Sequence, residues 1–320
     1  MRKAGIVAGW AFAVGVAAWA VVRLFGLDGW YPAVQVVAFT PYAVLVAALG
    51  VPVLAWWKKW PEAAVAAVSA VVLAACVLPR AVTDGDALAG ATGPTLRVAS
   101  ANLLIGGADP AEILRRVREE QVDVLAVQEM TPEWLAAADA AGLGDVLPQR
   151  FVAPASLAEG SAVFSRRPLA DGGSHLMAFG WFQQVHAVIT VDGVPVVLES
   201  AHPASPYNAD VTPAWRSNLR KEPPATPDGS LRVLMGDFNS TLDHGLLRDL
   251  IDSGYRDAAS VVGKGLVGTW GPYNGDPVPP VTIDHVLADR RIGVRAFAAF
   301  TIPGSDHRMI VATLVLPGTH

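Results

Sequence analysis

Residues Leu234–Ser240 read "LMGDFNS": an apolar run fit for a buried strand stops on Asp237 and, two residues later, on Asn239. An aspartate followed by a short polar turn is the usual sequence of an Asx turn, in which the side chain bonds the backbone two residues on. The same residues would deliver a carboxylate and an amide to a site at the end of a strand. The pair alone does not choose between these readings, and the surrounding sequence has to.

The arrangement recurs outward from this stretch. "TLRVASANLL" ends on Asn102, "VDVLAVQEM" on Glu129, and "VVLESAHP" runs into His202. "TIDHV" carries Asp284, while "GSDHR" places Asp306 and His307 before the final apolar run "HRMIVATLVLP". Singly, Asn102 is a turn former, Glu129 a helix-start carboxylate, His202 an exposed loop residue and Asp306-His307 a strand cap. Polar residues set repeatedly where apolar strands emerge instead converge on one rim. Between the strands lie helices such as "DPAEILRRVREEQ", with Asp109 as N-cap, Pro110 at the first position and Ile113, Leu114 and Val117 on one face. "HGLLRDLIDSG" is a second helix, ending at Gly254, and Asp192-Gly193 marks a hairpin turn. Many strands with occasional helices predict an α/β sandwich of two packed sheets under helical layers, more than a regular βαβ alternation.

The first quarter of the 320 residues differs in kind. It is Ala-, Val-, Leu- and Trp-rich with few charges, and it inflates the overall hydrophobic share of 52%. Apolar stretches at about Ile6–Val22, Ala33–Trp57 and Ala63–Leu78 predict three transmembrane helices, since about 20 apolar residues cross a bilayer. Two further apolar segments after the first argue against a cleaved signal peptide. Arg2 and Lys3 precede the first span and "WWKKWP" joins the second to the third, so both basic clusters are expected on the cytoplasmic side. The remainder is then expected outside the cytoplasm, on a multi-pass protein of the cytoplasmic membrane; Arg80, one charge on the outer flank, opposes this slightly. Trp10, Trp30, Trp56, Trp57 and Trp60 fall mostly near span ends. Residues 1–80 thus form an anchor, Gly- and Ala-rich residues 81–94 a linker, and 95–320 a domain. Cys76, the single cysteine, lies in the third span, so the outer domain holds no disulfide and depends on its own core.

From Thr95 onward, 18 Lys and Arg stand against 25 Asp and Glu, a net of −7. A surface that wraps nucleic acid normally carries a basic footprint, so nucleic acid is not the favoured partner. A small phosphorylated substrate, or one delivered by the bilayer, is compatible. Phosphoester or anhydride hydrolysis needs a hard divalent cation, oxygen ligands, a group to orient water, and donors for developing charge. Glu129 and Asn102 suit the metal shell, Asp237 can orient water, and His202 and His307 can donate to phosphate oxygens if neighbouring carboxylates keep them cationic. There is no cysteine cluster, no His-Glu-x-x-His and no Gly-rich phosphate loop with a following Lys.

The ordered set "ASANLL", "AVQEM", "EGSAVFSRRPL", "ESAHP", "MGDFNS", "TIDHVL" and "GSDHR" resembles the endonuclease/exonuclease/phosphatase superfamily over roughly Thr95–Pro317. The resemblance implies a four-layer α/β sandwich and a Mg²⁺-dependent phosphoesterase, with Mn²⁺ or Ca²⁺ as other ions that oxygen ligands accept. It implies metal-site roles for Asn102, Glu129 and Asp306, and nucleophile alignment by Asp237 and Asn239. It also implies that Asp284 orients His307 and that Glu159 pairs with His202, a two-histidine site of the DNase I type. Joined to a three-helix anchor, the set resembles the membrane-anchored VanJ-type teicoplanin-resistance proteins. That similarity implies removal of phosphate from undecaprenyl pyrophosphate at the outer membrane face, in cell-wall synthesis, with the bilayer and a lipid-linked phosphate as partners. "FGWFQQ" (Phe179–Gln184) and "GTWGPYN" (Gly268–Asn274) are expected either to shape an apolar mouth or to pack as ordinary core and loop. The alternatives are an extracytoplasmic nuclease, a sphingomyelinase-like phosphodiesterase, or a non-catalytic membrane scaffold.

Overall fold

The computed structural model describes residues 2–271 and 278–318, apart from the side chains of residues 2–5 and 178. Pro272–Asn274 of the "GTWGPYN" stretch therefore lie outside the described residues. The chain opens with α1 (Arg2–Phe25), α2 (Ala33–Val37), α3 (Thr40–Trp56) and α4 (Trp60–Val77), followed by a 3₁₀ turn at Leu78–Ala81. Two of these segments are long and apolar enough to cross a membrane, Ile6–Phe25 and Trp60–Ala81. The expected second span is not one helix: it divides into α2 and the 17-residue α3. Pro41, in the first turn of α3, has no N–H to continue a helix from upstream and disfavours helical geometry in the residue before it. At the third expected span, Ala63–Leu78, the candidate segment is longer, Trp60–Ala81.

Only 22% of the first apolar window and 33% of the second is buried, where a core helix of a soluble protein would be mostly covered. Val7, Val14, Leu45, Leu49, Val68 and Val71 stand exposed along the three long helices. Trp30, Trp56, Trp57 and Trp60 are exposed at helix ends, as interfacial aromatics would be.

After the 3₁₀ turn the chain runs along the following domain before entering it. Asp84 N–H bonds the Val261 carbonyl, the Ala87 carbonyl accepts from Val294 N–H, and Gly93 N–H bonds the Leu316 carbonyl. Gly93 is needed for that close approach, since a Cβ there would lie 2.4 Å from the Pro317 carbonyl oxygen.

The domain comprises β1 (Thr95–Asn102), α5 (Pro110–Glu119), β2 (Val124–Gln128), α6 (Pro132–Ala140), α7 (Leu143–Val146), β3 (Gln149–Ala153), β4 (Ser161–Ser165), β5 (Leu169–Leu176), β6 (Gln183–Val191) and β7 (Val194–Ala201). It continues with α8 (Thr212–Leu219), β8 (Leu231–Asp237), α9 (Gly245–Asp252), β9 (Tyr255–Asp257), α10 (Ala258–Val261), β10 (Asp284–Asp289), β11 (Gly293–Thr301) and β12 (Arg308–Val315). The strands form two six-stranded mixed sheets, ordered β11-β12-β1-β2-β4-β3 and β5-β6-β7-β8-β10-β9. Alternating residues such as Val98, Val124 and Ile310 from one sheet meet Val196, Val233 and Val286 from the other in the central core. Outside the first sheet, Ile113, Leu114 and Val117 of α5 and Trp134 of α6 cover Leu125 and Val127. Outside the second, Trp215 of α8 and Leu247 of α9 cover Leu234 and Leu287. The result is a helix–sheet–sheet–helix sandwich.

Local signals behave as the sequence requires. Asp109 caps α5 by accepting from Ala111 N–H at 2.9 Å. Asp192 and Gly193 turn the β6–β7 hairpin with φ of 49° and 87°, the sign a type I′ turn demands. In each sheet one parallel pair, β1–β2 and β7–β8, is flanked by an antiparallel strand, β12 or β10. The C-terminal ends of β1, β2, β7 and β8 and the N-terminal ends of β10 and β12 therefore meet on one rim.

Candidate active site

Gly236 makes the approach to this rim possible. A Cβ at that position would lie 1.9 Å from the Ala201 carbonyl oxygen, so the β7–β8 pair closes only around glycine. The next residue, Asp237, is 2% exposed. Its Oδ1 accepts from Asn239 N–H at 2.8 Å, which is the Asx turn, and its Oδ2 accepts from Asn102 Nδ2 at 3.1 Å. The Asx turn of "LMGDFNS" is formed, and it aims the second Asp237 oxygen toward Asn102 at the rim. Asn239, at φ 47°, sends its own amide to the Pro203 carbonyl at 3.0 Å and so ties the turn to the loop after His202.

Asn102 bridges the two sheets at this point, its Nδ2 donating also to Glu129 Oε1 at 3.0 Å. Glu129 follows the last residue of β2 with φ 57°, and its Oε2 accepts from Ile105 N–H at 2.8 Å. Leu104, Ile105, Glu129 and Asn239 all have positive φ, a concentration of backbone strain such as marks functional sites.

His307 donates through Nδ1 to Asp284, at 3.0 and 3.1 Å from its two oxygens, which leaves Nε2 3.7 Å from Asp237 Oδ2 and 3.9 Å from Asp306 Oδ1. Thr269 Oγ1 accepts from the Ile283 and Asp284 backbone N–H groups, and Trp270 Nε1 donates to Asp306 Oδ2 at 2.9 Å. The "GTW" loop thus holds both aspartates. Ser305 donates to the Asn102 carbonyl and accepts from His307 N–H, joining β1 to the last site loop.

The two histidines are electrostatically opposite. Burial acts against the His307 imidazolium, but Asp284, Asp237 and Asp306 outweigh it and raise its pKa to about 10. For His202, burial and the charge on His307 act together and lower it to about 3. His202 is therefore not kept cationic as the sequence reading required. Its Nε2 lies 3.8 Å from Glu129 and from Asp237, and the Phe182 ring packs 4.6 Å from its own. The pairing of Glu159 with His202 is not formed: His202 Nδ1 has no hydrogen-bond partner, and Glu159 uses its backbone carbonyl to accept from Gln183 N–H. Burial pushes the Asp237 carboxyl up to about 7, opposed by His307.

A cation fits these donors. The Asp237 and Asp284 oxygens lie within 4.8 Å of each other and of His307, whose imidazolium has no lone pair to give an ion and is a hydrogen-bond donor instead, and Asp306 Oδ1 is buried without a hydrogen-bond partner. The carboxylate-rich set suits a hard divalent ion, and the glutamate and amide of Glu129 and Asn102 adjoin it.

The cluster forms one side of a pocket of about 590 Å³. The facing side is not part of the domain: it is Val34, Gln35, Ala38 and Phe39, from α2 and its junction with α3. The stretch that follows the site turn, "TLDHG" (Thr241–Gly245), holds this segment. Asp243 is paired with Arg23 of α1 and with Arg80, whose Nη1 and Nη2 lie 2.9 and 2.6 Å from its oxygens. His244 Nε2 meets the Val34 carbonyl at 2.8 Å, and Gly245 N–H donates to Asp28 at 3.0 Å. Tyr42 donates to the Pro280 carbonyl at 2.7 Å. The sequence signal for this contact was present, in two arginines flanking apolar spans on the side where positive charge was unexpected. Their partner, Asp243, could not be found from spacing.

The sequence profile of the Endonuclease/Exonuclease/phosphatase family matches residues 99–307. Among solved structures, an endonuclease/exonuclease/phosphatase from Beutenbergia cavernae is similar with a TM-score of 0.55 at 19% identity, covering 70% of this chain and 72% of that one. A humanized D. rerio TDP2 is similar at 0.56 and 16%, covering 69% and 98%. A family protein from Bacteroides thetaiotaomicron is similar at 0.54 and 16%, covering 71% and 100%. No curated protein sequence matches. With the profile spanning most of the chain, the chain belongs to the endonuclease/exonuclease/phosphatase family.

Proposed function

We propose that the protein is a membrane-anchored, divalent-metal-dependent phosphatase of a lipid-linked pyrophosphate, undecaprenyl pyrophosphate, at the outer face of the cytoplasmic membrane. This would serve cell-wall synthesis and contribute to teicoplanin resistance. Family members are metal-dependent hydrolases of phosphoester bonds. The observation that supports the lipid reading is the attachment of long helices with exposed apolar faces directly beside the acidic site, with Val34, Gln35, Ala38 and Phe39 facing the acidic cluster across one pocket. Arg23 and Tyr42 place the C-terminal end of α1 and the N-terminal end of α3 against the domain, and Arg80 the C-terminal end of α4. Lys58 and Lys59 join the opposite ends of α3 and α4, which supports a three-span anchor with the domain outside. The net −7 of the domain disfavours a nucleic-acid groove.

An ion held by Glu129, Asn102 and neighbouring carboxylates would polarise the phosphoryl group and neutralise its charge. Asp237 is suited to take a proton from the attacking water, being buried with a pKa near 7. Asn239 fixes the orientation of that carboxylate through the turn. The His307 imidazolium, oriented by Asp284, donates from Nε2 to a phosphoryl oxygen as negative charge develops. Neutral His202 packs beside Glu129 and accepts or donates a hydrogen bond without adding charge. Water oxygen bonds the terminal phosphorus, the anhydride P–O bond breaks, and undecaprenyl phosphate and inorganic phosphate leave.

The test is phosphate release by the purified full-length protein on undecaprenyl pyrophosphate, double-stranded DNA and sphingomyelin. Cleavage of DNA or sphingomyelin without phosphate release from the lipid would overturn the substrate assignment.

A further inference from the structure

The pocket is larger than its catalytic floor requires. Ligand pockets of about 300–1,000 Å³ usually enclose a whole small molecule, and this one of about 590 Å³ extends from Asp237 and His307 to Val34, Ala38 and Phe39. Phe182 and Tyr207 continue the apolar lining on the domain side. Of the four anchor residues that line it, Val34, Ala38 and Phe39 carry no polar side chain, and Gln35 gives its amide N–H to the Tyr207 carbonyl.

The anchor wall is held rigidly. Val34 packs on one side into the core that contains Trp215 and Leu247, while its carbonyl meets His244. Gln35 Nε2 bonds the Tyr207 carbonyl at 3.2 Å, and Thr40 Oγ1 bonds the Val37 carbonyl at 2.6 Å. Buried Asp28 and the Arg23–Asp243–Arg80 group fix the wall's approach to the strand that carries Asp237. Leu27, Trp30 and Tyr31, just before the wall, are exposed, as residues at the level of lipid headgroups are.

We propose that Val34, Ala38 and Phe39 form a subsite for the hydrocarbon chain adjoining the substrate's phosphoryl group, so that the active site is completed by the membrane anchor. The proposal rests on the lipid-phosphate reading above and names the part of the chain that recognises the lipid. The occupant follows from position: the wall is apolar, continuous with the phosphoryl-binding floor, and flanked by the ends of α1 and α3, from which a bilayer-borne chain would enter. The Thr241–Gly245 stretch is the positioning element that keeps chain subsite and catalytic floor in register.

The test compares two substrates that share a head group, farnesyl diphosphate and inorganic pyrophosphate, with full-length protein in nanodiscs and Mg²⁺. Phe39→Ser is expected to lower kcat/KM for farnesyl diphosphate about 10-fold or more beyond its effect on pyrophosphate, mainly through KM. Phe39→Leu, which keeps the wall apolar, restores the ratio. Leu49→Ser, on an exposed part of α3, leaves it as in the parent. An unchanged ratio in Phe39→Ser overturns the subsite, as does an equal loss on both substrates. A parent protein that hydrolyses neither diphosphate but cleaves DNA overturns the underlying lipid reading itself.

Discussion

Replacing Asp284 with Asn removes one charge from the site and little else. The amide oxygen can still accept from His307 Nδ1, and the backbone N–H keeps its bond to Thr269. In the parent, His307 is raised from 6.5 to about 10, which corresponds to roughly 5 kcal/mol in favour of the imidazolium at one pKa unit per 1.36 kcal/mol. Asp284 is the largest favourable contributor, followed by Asp237 and Asp306. Assigning it somewhat under half predicts a loss of ~2 kcal/mol, moving the His307 midpoint down by roughly 1–2 pH units. The assay is histidine-selective NMR on chelator-treated protein, titrated from pH 6 to 11. Because the folded pKa lies above the unfolded one, the stabilisation is complete below about 6.5 and is lost as pH rises through about 10. The stability gap between parent and variant should therefore be widest on the acid side and shrink toward pH 10. With Mg²⁺, activity near pH 8.5 should fall about 100-fold, the usual cost of weakening a transition-state donor. An unmoved His307 midpoint, or a stability loss equal at every pH, would refute the assignment of Asp284 as the charge that sustains the imidazolium.

Three further outcomes follow from the same geometry. Glu129→Gln keeps an acceptor for Ile105 N–H but removes the carboxylate charge, so half-maximal activation should need at least about 10-fold more Mg²⁺; an unchanged metal requirement would remove Glu129 from the ion's shell. Asp237, raised to about 7, is favourable to the fold while protonated, fully so below its unfolded value of 3.8, and this contribution is lost as pH rises through about 7. Chelation should therefore lower Tm more at pH 8 than at pH 6, because ionised Asp237 then lacks a compensating cation; equal shifts at both would contradict this. Asp243→Ala leaves two buried arginines without their carboxylate and should cost about 3–5 kcal/mol in denaturant unfolding, whereas an apolar replacement of Arg23, Arg80 and Asp243 together should recover most of it.

The site was legible in sequence because its residues sit at strand ends, where an apolar run stops on a polar group. Register then does the assembly: Asp284 pairs directly with Asp237 across β10 and β8, and Asn102 with Gln128, one residue before Glu129. What spacing could not give was the electrostatic split between His307 and His202, which depends on how many carboxylates each imidazole faces after folding. The missing Glu159 contact has the same origin, since a motif order does not fix which way a loop side chain points. The division of the second apolar stretch was foreshadowed by Pro41, but hydropathy averages over a single proline. The wall formed by Val34, Ala38 and Phe39 was hidden more deeply, because these residues read as part of a membrane span, while their ties to the domain run through buried Arg23, Asp28 and Arg80 and through the contact of the Val34 carbonyl with His244. Arg80, the charge that opposed the expected outward orientation, shares Asp243 with Arg23 in a buried ion pair.

The most direct measurement is product analysis of full-length protein in liposomes containing undecaprenyl pyrophosphate, following lipid by mass spectrometry and phosphate by release. The account predicts one inorganic phosphate per undecaprenyl phosphate formed, dependent on a divalent ion, abolished by chelation and lost in His307→Ala. Intact undecaprenyl pyrophosphate in the presence of ion, under conditions where the same preparation cleaves DNA or sphingomyelin, would contradict it.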